Sequence, residues 1–190
     1  MIINNNSIDM KYLLNAVLIA SFLLLSANFS NAQTKFLVSE YKNVSGSTAG
    51  EWFELLVIED NVSIVGYYVR DNSGTGDWMG GIVFKDVPLW RNLRKGTSIL
   101  INTRGFSAPD VDPSDGFIKV DAENPTYFEK RIENAISWEN VLNFNQATEC
   151  VQLLDNNDKH HHALAQSTFP VLTAIASLPY PKVVHQDNNN

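Results

Sequence analysis

Short β-rich segments separated by turn signals follow one another along most of this 190-residue chain, and this pattern constrains the fold more than any other feature. Most segments are rich in β-branched and aromatic residues, and glycine, asparagine, aspartate or proline separates them. Eight segments are predicted to be strands: Lys35–Tyr41, Glu51–Glu59, Val62–Arg70, Gly81–Lys85, Thr97–Asn102, Phe117–Asp121, Cys150–Leu154 and His160–Ala165. This succession predicts an all-β sandwich of about eight strands, in which each of two sheets buries one face.

One segment departs from the strand pattern. Thr126 and Glu129 have the spacing of a capping box, which marks the N-terminus of a helix. Phe128, Ile132 and Ile136 then recur every four residues, which is the spacing of one helix face. The sequence therefore predicts one short helix here, lying over an end of the sandwich.

The N-terminal residues have the pattern of an export signal. The apolar stretch Tyr12–Ala27 follows Lys11, and Ser30-Asn31-Ala32 provides the small residues of a signal-peptidase site. A retained membrane anchor is the alternative, but the stretch is short for a hydrocarbon core of about 30 Å. We expect cleavage after Ala32, with Met10 as an alternative start of the chain. The expected organisation is a signal peptide over residues 1–32, a domain over residues 33–176, and a closing extended segment with a linker over residues 177–190.

Charge and cysteine content narrow the class of function and the compartment. The chain has 14 Lys and Arg against 21 Asp and Glu, so its net charge of −7 gives no support to binding of nucleic-acid phosphates. The single cysteine, Cys150, excludes an intramolecular disulfide. Because it begins an apolar segment, a buried side chain is favoured over a catalytic thiol. With the export signal, these features predict a secreted, cell-surface or periplasmic protein that has no transmembrane segment after cleavage.

An acidic stretch between two predicted strands is the candidate metal site. Asp110, Asp112, Asp115 and Asp121 have a spacing similar to that of an EF-hand calcium loop. However, Asp115 occupies the position where that loop requires glycine, and a strand rather than a helix follows. An acidic turn is therefore favoured, and the alternative is a weak site that millimolar extracellular calcium could fill. No other cofactor is predicted.

Histidines and tryptophans supply further candidates for a binding site. Three consecutive histidines, His160–His162, lie on a predicted strand, so the first and third share one face. A solvated edge strand is favoured over a zinc site, because two imidazoles are too few ligands. Trp78 and Trp90 are the loop-like tryptophans that could stack on a sugar, whereas Trp52, in an apolar strand, is predicted to lie in the core. No convergent catalytic set is recognised, and the chain is predicted not to be an enzyme.

The first third of the predicted domain resembles the lamin-tail domain as found in bacterial exported proteins. The shared pattern is a strand ending in an acidic residue, an E-W-x-E-L strand, and a G-(aromatic)-x-(aliphatic)-x-D strand. The matching positions are Glu40, Glu51, Trp52, Glu54, Leu55, Gly66, Tyr67 and Asp71. The resemblance extends from about Lys35 to Ala165. It departs from the family at Leu56-Val57, where Tyr-Asn is usual, and at residues 105–145, a long insertion that contains the acidic loop and the predicted helix.

This resemblance implies an immunoglobulin-like β-sandwich of a non-enzymatic kind. Domains of the family accompany exported nucleases, phosphatases and adhesive surface proteins, in which they tether or bind partners rather than catalyse. The implied function is an exported binding, adhesion or tethering module within a larger cell-surface or secreted protein, whose partner is a protein or a surface polymer. Two alternatives stay open. One is a carbohydrate-binding sandwich that uses Trp78 and Trp90, with calcium in the acidic loop. The other is a nuclease or hydrolase built on the acidic loop and the histidines, or an accessory domain of such an enzyme.

Overall fold

The computed structural model describes residues 34–44, 50–72, 77–104, 108–133, 142–144, 148–168 and 173–187. The chain divides after Gln33 into two units, and all described residues belong to the second, Thr34–Asn190. The predicted signal peptide, residues 1–32, lies outside the described residues. Within the described ranges, no helix is long and apolar enough to span a bilayer.

In the described residues, ten strands form two sheets that pack face to face, which confirms the predicted all-β sandwich. The strands are β1 (Phe36–Lys42), β2 (Trp52–Val57), β3 (Tyr68–Asn72), β4 (Trp78–Phe84), β5 (Ser98–Asn102), β6 (Phe117–Asp121), β7 (Phe128–Ile132), β8 (Glu149–Leu154), β9 (His160–Thr168) and β10 (Lys182–Asp187). One sheet has the order β1-β2-β5-β6, and the other has the order β10-β9-β8-β3-β4-β7. Neighbouring strands pair antiparallel except for β5 with β6 and β9 with β10, which are parallel.

Alternating burial along the strands places the core between the two sheets. On β2, Phe53, Leu55 and Val57 are fully buried, whereas Trp52, Glu54 and Leu56 are only half-buried on the opposite face. Strands β5 and β6 alternate in the same way. Each fully buried apolar side chain of this size stabilises the fold by about 1.5–3 kcal/mol. The six-stranded sheet contributes Val69, Ile82, Phe84, Val151 and Leu153 to the same core.

The predicted helix over Thr126–Ile136 is wrong in its described part, because Phe128–Ile132 forms β7 and pairs antiparallel with β4. Phe128 and Ile132 lie at the two ends of this strand, four residues apart. That spacing fits both structures, since residues i and i+4 share a face in a strand as well as in a helix. Asn124 makes a turn here instead of a helix cap. Its side chain accepts the amide of Thr126 at 3.0 Å, and its carbonyl accepts the amide of Phe128 at 3.1 Å. Residues 134–136 of the predicted helix lie outside the described residues.

The C-terminal segment, Thr173–Asp187, covers part of the outer face of the six-stranded sheet. It begins with α1 (Thr173–Ala176), the one α-helix of the described residues. Ile175 of this helix is fully buried in a second apolar cluster with Cys150, Ala163 and Ala165. The Nζ atom of Lys182 donates to the carbonyls of Ala176 at 2.6 Å and Leu178 at 2.7 Å, which stabilises the end of α1. Strand β10 then extends the sheet beside β9.

Candidate functional site

The outer face of the four-stranded sheet presents aromatic, aliphatic and polar side chains in three rows that run across β2, β5 and β6. All are half-buried, because they alternate with the core residues of the same strands. The strand register fixes the rows. The rows are Trp52, Asn102 and Asp121; Glu54, Leu100 and Lys119; and Leu56, Ser98 and Phe117. We call these residues the Trp52 face.

The placement of Trp52 in the core, which the apolar character of its strand suggested, is wrong. β2 has the sequence WFELLV, and its burial alternates so that Trp52, Glu54 and Leu56 point away from the core. Within β2, Glu54 is the one charged residue. Because a carboxylate avoids the core and residues two apart share a face, Glu54 indicates that Trp52, Glu54 and Leu56 face outward. That single charge is the signal by which the sequence could have placed Trp52 on the surface.

A cleft of about 340 Å³ adjoins the first row of the Trp52 face. Its polar lining includes Asn102, Lys119, Asp121 and Asn124, and Pro109 and Pro125 flank it. One oxygen of Asp121 accepts the amide of Glu123 at 2.9 Å, and burial raises the pKa of this carboxyl group. The cleft therefore combines hydrogen-bond donors and acceptors, and one of its lining residues, Asn102, is the register partner of Trp52.

The structure separates the four aspartates of the predicted calcium site. Asp121 lines the cleft beside the Trp52 face, whereas Asp112 lines a second cleft of about 220 Å³ together with Arg91 and Arg94. Each of the four carboxylates accepts the amide hydrogen of the residue two positions later, as in an Asx turn. The pairs are Asp110 with Asp112 at 3.3 Å, Asp112 with Ser114 at 2.9 Å, Asp115 with Phe117 at 2.8 Å, and Asp121 with Glu123 at 2.9 Å.

These hydrogen bonds show what the acidic loop does for the fold. Each carboxylate stabilises a turn, and the amide of Ser114 lowers the pKa of Asp112. Across the described ranges, no three His, Cys, Asp or Glu side chains are grouped closely enough to hold a metal ion. The calcium site stays a prediction, which calorimetry of the chain in millimolar calcium tests directly: heat of binding would support it, and its absence would exclude it.

Two acidic residues of the lamin-tail-like motifs are buried at one end of the sandwich. Glu51 is 1% exposed and Asp71 is 0% exposed. The Asp71 carboxylate accepts the amide of Asn143 at 2.8 Å, and the Glu51 carboxylate accepts the amide of Phe144 at 3.3 Å. Burial raises the pKa of both groups, and the nearby Glu51 charge contributes to the shift at Asp71. The two acids therefore hold Leu142–Phe144 against the core.

The other motif positions divide between the core and the surface. Leu55 and Tyr67 pack in the main core. Gly66 has a φ of 78°, a left-handed conformation that suits glycine and that turns the chain into β3. Glu40 lies opposite Glu54 at the β1–β2 pairing. Most of the motif thus stabilises the fold, and its outward-facing members lie on the outer side of the four-stranded sheet.

Two of the three histidines join the sheets to each other. His161 Nε2 accepts the amides of Lys35 at 2.9 Å and Phe36 at 3.3 Å, and His162 Nδ1 accepts the amide of Val38 at 3.1 Å. Burial lowers the pKa of each imidazole to about 4. Both rings are therefore neutral at pH 7 and serve as hydrogen-bond acceptors for the start of the four-stranded sheet.

The prediction of a solvated edge strand for His160–His162 is wrong. β9 lies between β8 and β10, and both His161 and His162 are buried. The register with β8 shifts between Leu153 and Leu154, which places a bulge at His161, so that two consecutive side chains reach β1. The ring of His160 instead makes hydrogen bonds to the Gln152 amide and the Pro181 carbonyl, both at 2.9 Å.

Trp78 and Trp90, the candidates for sugar stacking in the carbohydrate-binding alternative, do not present open rings. Trp90 is fully buried, and its indole nitrogen donates to the carbonyl of Tyr127 at 3.1 Å. The guanidinium of Arg70 lies 4.0 Å from the centre of the Trp78 ring and forms a 2.8 Å ion pair with Glu133. Both tryptophans are therefore engaged by the protein itself.

The single cysteine, Cys150, belongs to the second apolar cluster. Cys150 is fully buried, which confirms its predicted placement, and burial raises the pKa of its thiol.

Comparison with protein-family models gives no match for this chain, and no curated protein matches it significantly. Among the described residues, the Trp52 face and its adjoining cleft form the arrangement best suited to contact another molecule.

Proposed function

We propose that this chain is a non-enzymatic binding or adhesion module of lamin-tail type, carried by an exported protein, and that it contacts its partner through the Trp52 face. One observation carries the proposal: Trp52, Leu100 and Phe117 lie half-buried on the outer surface of one sheet, interspersed with polar side chains. Groups of apolar and aromatic side chains on a surface are typical of interaction sites, and tryptophan is enriched among the residues that contribute most to binding.

The roles of the reactive side chains support binding over catalysis. Asp71 and Glu51 hold a chain segment through backbone amides, and His161 and His162 hold β1 in the same way. Buried acceptors of this kind stabilise a fold, because leaving such amides unpaired costs about 1–3 kcal/mol each. Cys150 has no access to solvent. These side chains therefore hold the fold together. To act as catalytic groups of a hydrolase or nuclease, they would have to leave these hydrogen bonds or become accessible.

The lamin-tail part of the proposal rests on the opening motifs, and the export part rests on the predicted signal peptide. The proposal places the chain outside the cytoplasm, as a cell-surface, secreted or periplasmic protein. It predicts that the mature protein begins at Gln33. Mass spectrometry of the protein recovered from its own cells measures this directly. An N-terminus at Met1 or Met10 in the recovered protein would remove the basis for export.

The binding role is tested by sedimentation of the purified chain with washed envelopes of the cells that produce it. Phe117→Asp places a charge in the Trp52 face. We expect it to make the free energy of envelope binding less favourable by at least about 1.4 kcal/mol, which is a tenfold loss of affinity. Val183→Asp is the matched control, because Val183 is 54% exposed on β10, in the other sheet. Wild-type chain that stays in solution, or equal binding by both variants, would contradict the proposal.

A further inference from the structure

We propose that the partner held by the Trp52 face is a glycan, with a sugar ring stacked on the Trp52 indole and its hydroxyl groups bound in the adjoining cleft. This inference rests on the proposed binding function and specifies its ligand. It is carried by the position of one aromatic side chain next to a polar cleft, together with the charge of that cleft.

Trp52 supplies the apolar platform. It occupies the first outward position of β2, and its register partner on β5 is Asn102, which is in turn paired with Asp121 on β6. Side chains directly opposite each other in a sheet have Cβ atoms about 4.5–5.5 Å apart, so Trp52 and Asn102 are cross-strand neighbours on this face. The face of an aromatic ring carries partial negative charge, which attracts the C–H groups of a pyranose.

The cleft supplies the polar contacts. Asn102 can both donate and accept hydrogen bonds, Lys119 can donate three, and Asp121 retains a carboxylate oxygen beyond the one that accepts the Glu123 amide. Asn124 uses its oxygen on the Thr126 amide, which leaves its NH₂ group to donate. A sugar hydroxyl both donates and accepts, so a mixed set of this kind suits it. The volume of about 340 Å³ is at the small end of the range of about 300–1,000 Å³ for ligand sites.

The charges of the cleft favour a neutral ligand over an anionic one. Among the described residues that line the cleft, Lys119 is the one cation, and Asp121 and Glu123 are the two anions. A phosphate or sulfate ligand needs an excess of positive charge, which this cleft lacks. An apolar peptide helix needs a continuous hydrophobic groove, whereas the rows here alternate apolar with polar side chains. A neutral polyhydroxyl chain fits both the aromatic platform and the mixed polar lining, which has donors and acceptors but no excess of positive charge.

The direct test is native electrophoresis of the purified chain in gels that contain soluble xylan, mixed-linkage β-glucan or galactomannan, with sedimentation on insoluble cellulose and chitin. We expect at least one of these polysaccharides to retard or bind the wild-type chain. Trp52→Ala is expected to lower the association constant at least tenfold, and Asn102→Ala severalfold. Tyr180→Ala should bind as wild type, because Tyr180 is an 83% exposed aromatic outside the four-stranded sheet. The thermal unfolding midpoint of each of the three variants is measured as well, to check that the variant remains folded.

Protease digestion of the envelopes separates failure of this inference from failure of the binding function. A glycan ligand survives digestion, so binding of the chain to digested envelopes should persist. Binding that digestion abolishes, binding that Trp52→Ala leaves unchanged, or indifference to all five polysaccharides would overturn the glycan and leave the binding module in place. Absence of binding to untreated envelopes would overturn the module as well.

Discussion

The two sheets of the sandwich differ in what covers their outer faces. On the six-stranded sheet, small side chains at Cys150, Ala163 and Ala165 let α1 approach closely, and Ile175 is buried against them. On the four-stranded sheet, the Trp52 face carries large side chains at Trp52, Leu100 and Phe117, and these are only half-buried. In the described residues, the chain therefore covers one outer face with its own C-terminal segment, and the half-buried face is the one that we propose contacts a partner.

The largest expected difference between the two faces is in stability. Ile175→Ala should lower the free energy of unfolding by about 2–4 kcal/mol, because it removes methylene groups from a fully buried site and leaves a cavity. Leu100→Ala, a comparable truncation on the Trp52 face, should cost less than about 1 kcal/mol, since its side chain is only half-buried. Urea unfolding of both variants measures the difference. Equal losses would mean that the Trp52 face is covered as completely as the other.

A second difference is the chemical accessibility of the covered face. Cys150 packs with Ile175 and is fully buried, so a maleimide should label it only when the C-terminal segment opens. Because Ile175→Ala weakens the attachment of this segment, the labelling rate should rise at least tenfold in that variant. Leu100→Ala should leave the rate unchanged, which makes it the matched control. Rapid labelling of the wild-type chain would show that the segment does not protect this face.

A smaller effect concerns how the two sheets are held together. The folded state lowers the pKa of His161 and His162 to about 4, from 6.5. Their contribution to stability is therefore complete above pH 6.5 and is lost as the pH falls toward 4, with a total loss of about 2 kcal/mol after allowance for solvent screening.

The free energy of unfolding, measured at several pH values, tests this link between the sheets. His162→Gln keeps a hydrogen-bond acceptor but cannot titrate, so the fall in stability between pH 6.5 and pH 4 should be smaller than in the wild-type chain. The matched control is the same substitution at His185, which is exposed on β10 rather than buried against β1. A wild-type stability that is flat over this pH interval would contradict the role assigned to the buried imidazoles.

Local patterns in the sequence were sufficient for most of the strands. Phe117–Asp121 was predicted to be a strand from its β-rich composition between turn signals, and β6 covers the same residues. The failure at β7 has a tertiary cause, because β4 pairs with Phe128–Ile132 although local signals there favour a helix. β7 pairs with residues more than 40 positions earlier in the sequence. A periodicity that is read over four residues contains no information about such a distant pairing.

The candidate site depends on long-range register to a greater extent than the fold does. Trp52, Asn102 and Asp121 come together only because β2 pairs with β5 and β5 pairs in parallel with β6. Neither pairing connects strands that are joined by a short hairpin loop. The same reason applies to His161, whose inward position depends on a bulge against β8. The sequence supplied the residue types, and the register of distant strands decided which of them meet.

The central claim, that the Trp52 face is the surface left open for a partner, is tested most directly by hydroxyl-radical footprinting of the chain alone and bound to envelopes. Binding should reduce the oxidation rates of Trp52, Leu100 and Phe117 severalfold and leave that of Tyr180 unchanged. Protection of Tyr180, with Trp52 and Phe117 still oxidised at the rate of the free chain, would contradict the claim and assign binding to the C-terminal segment.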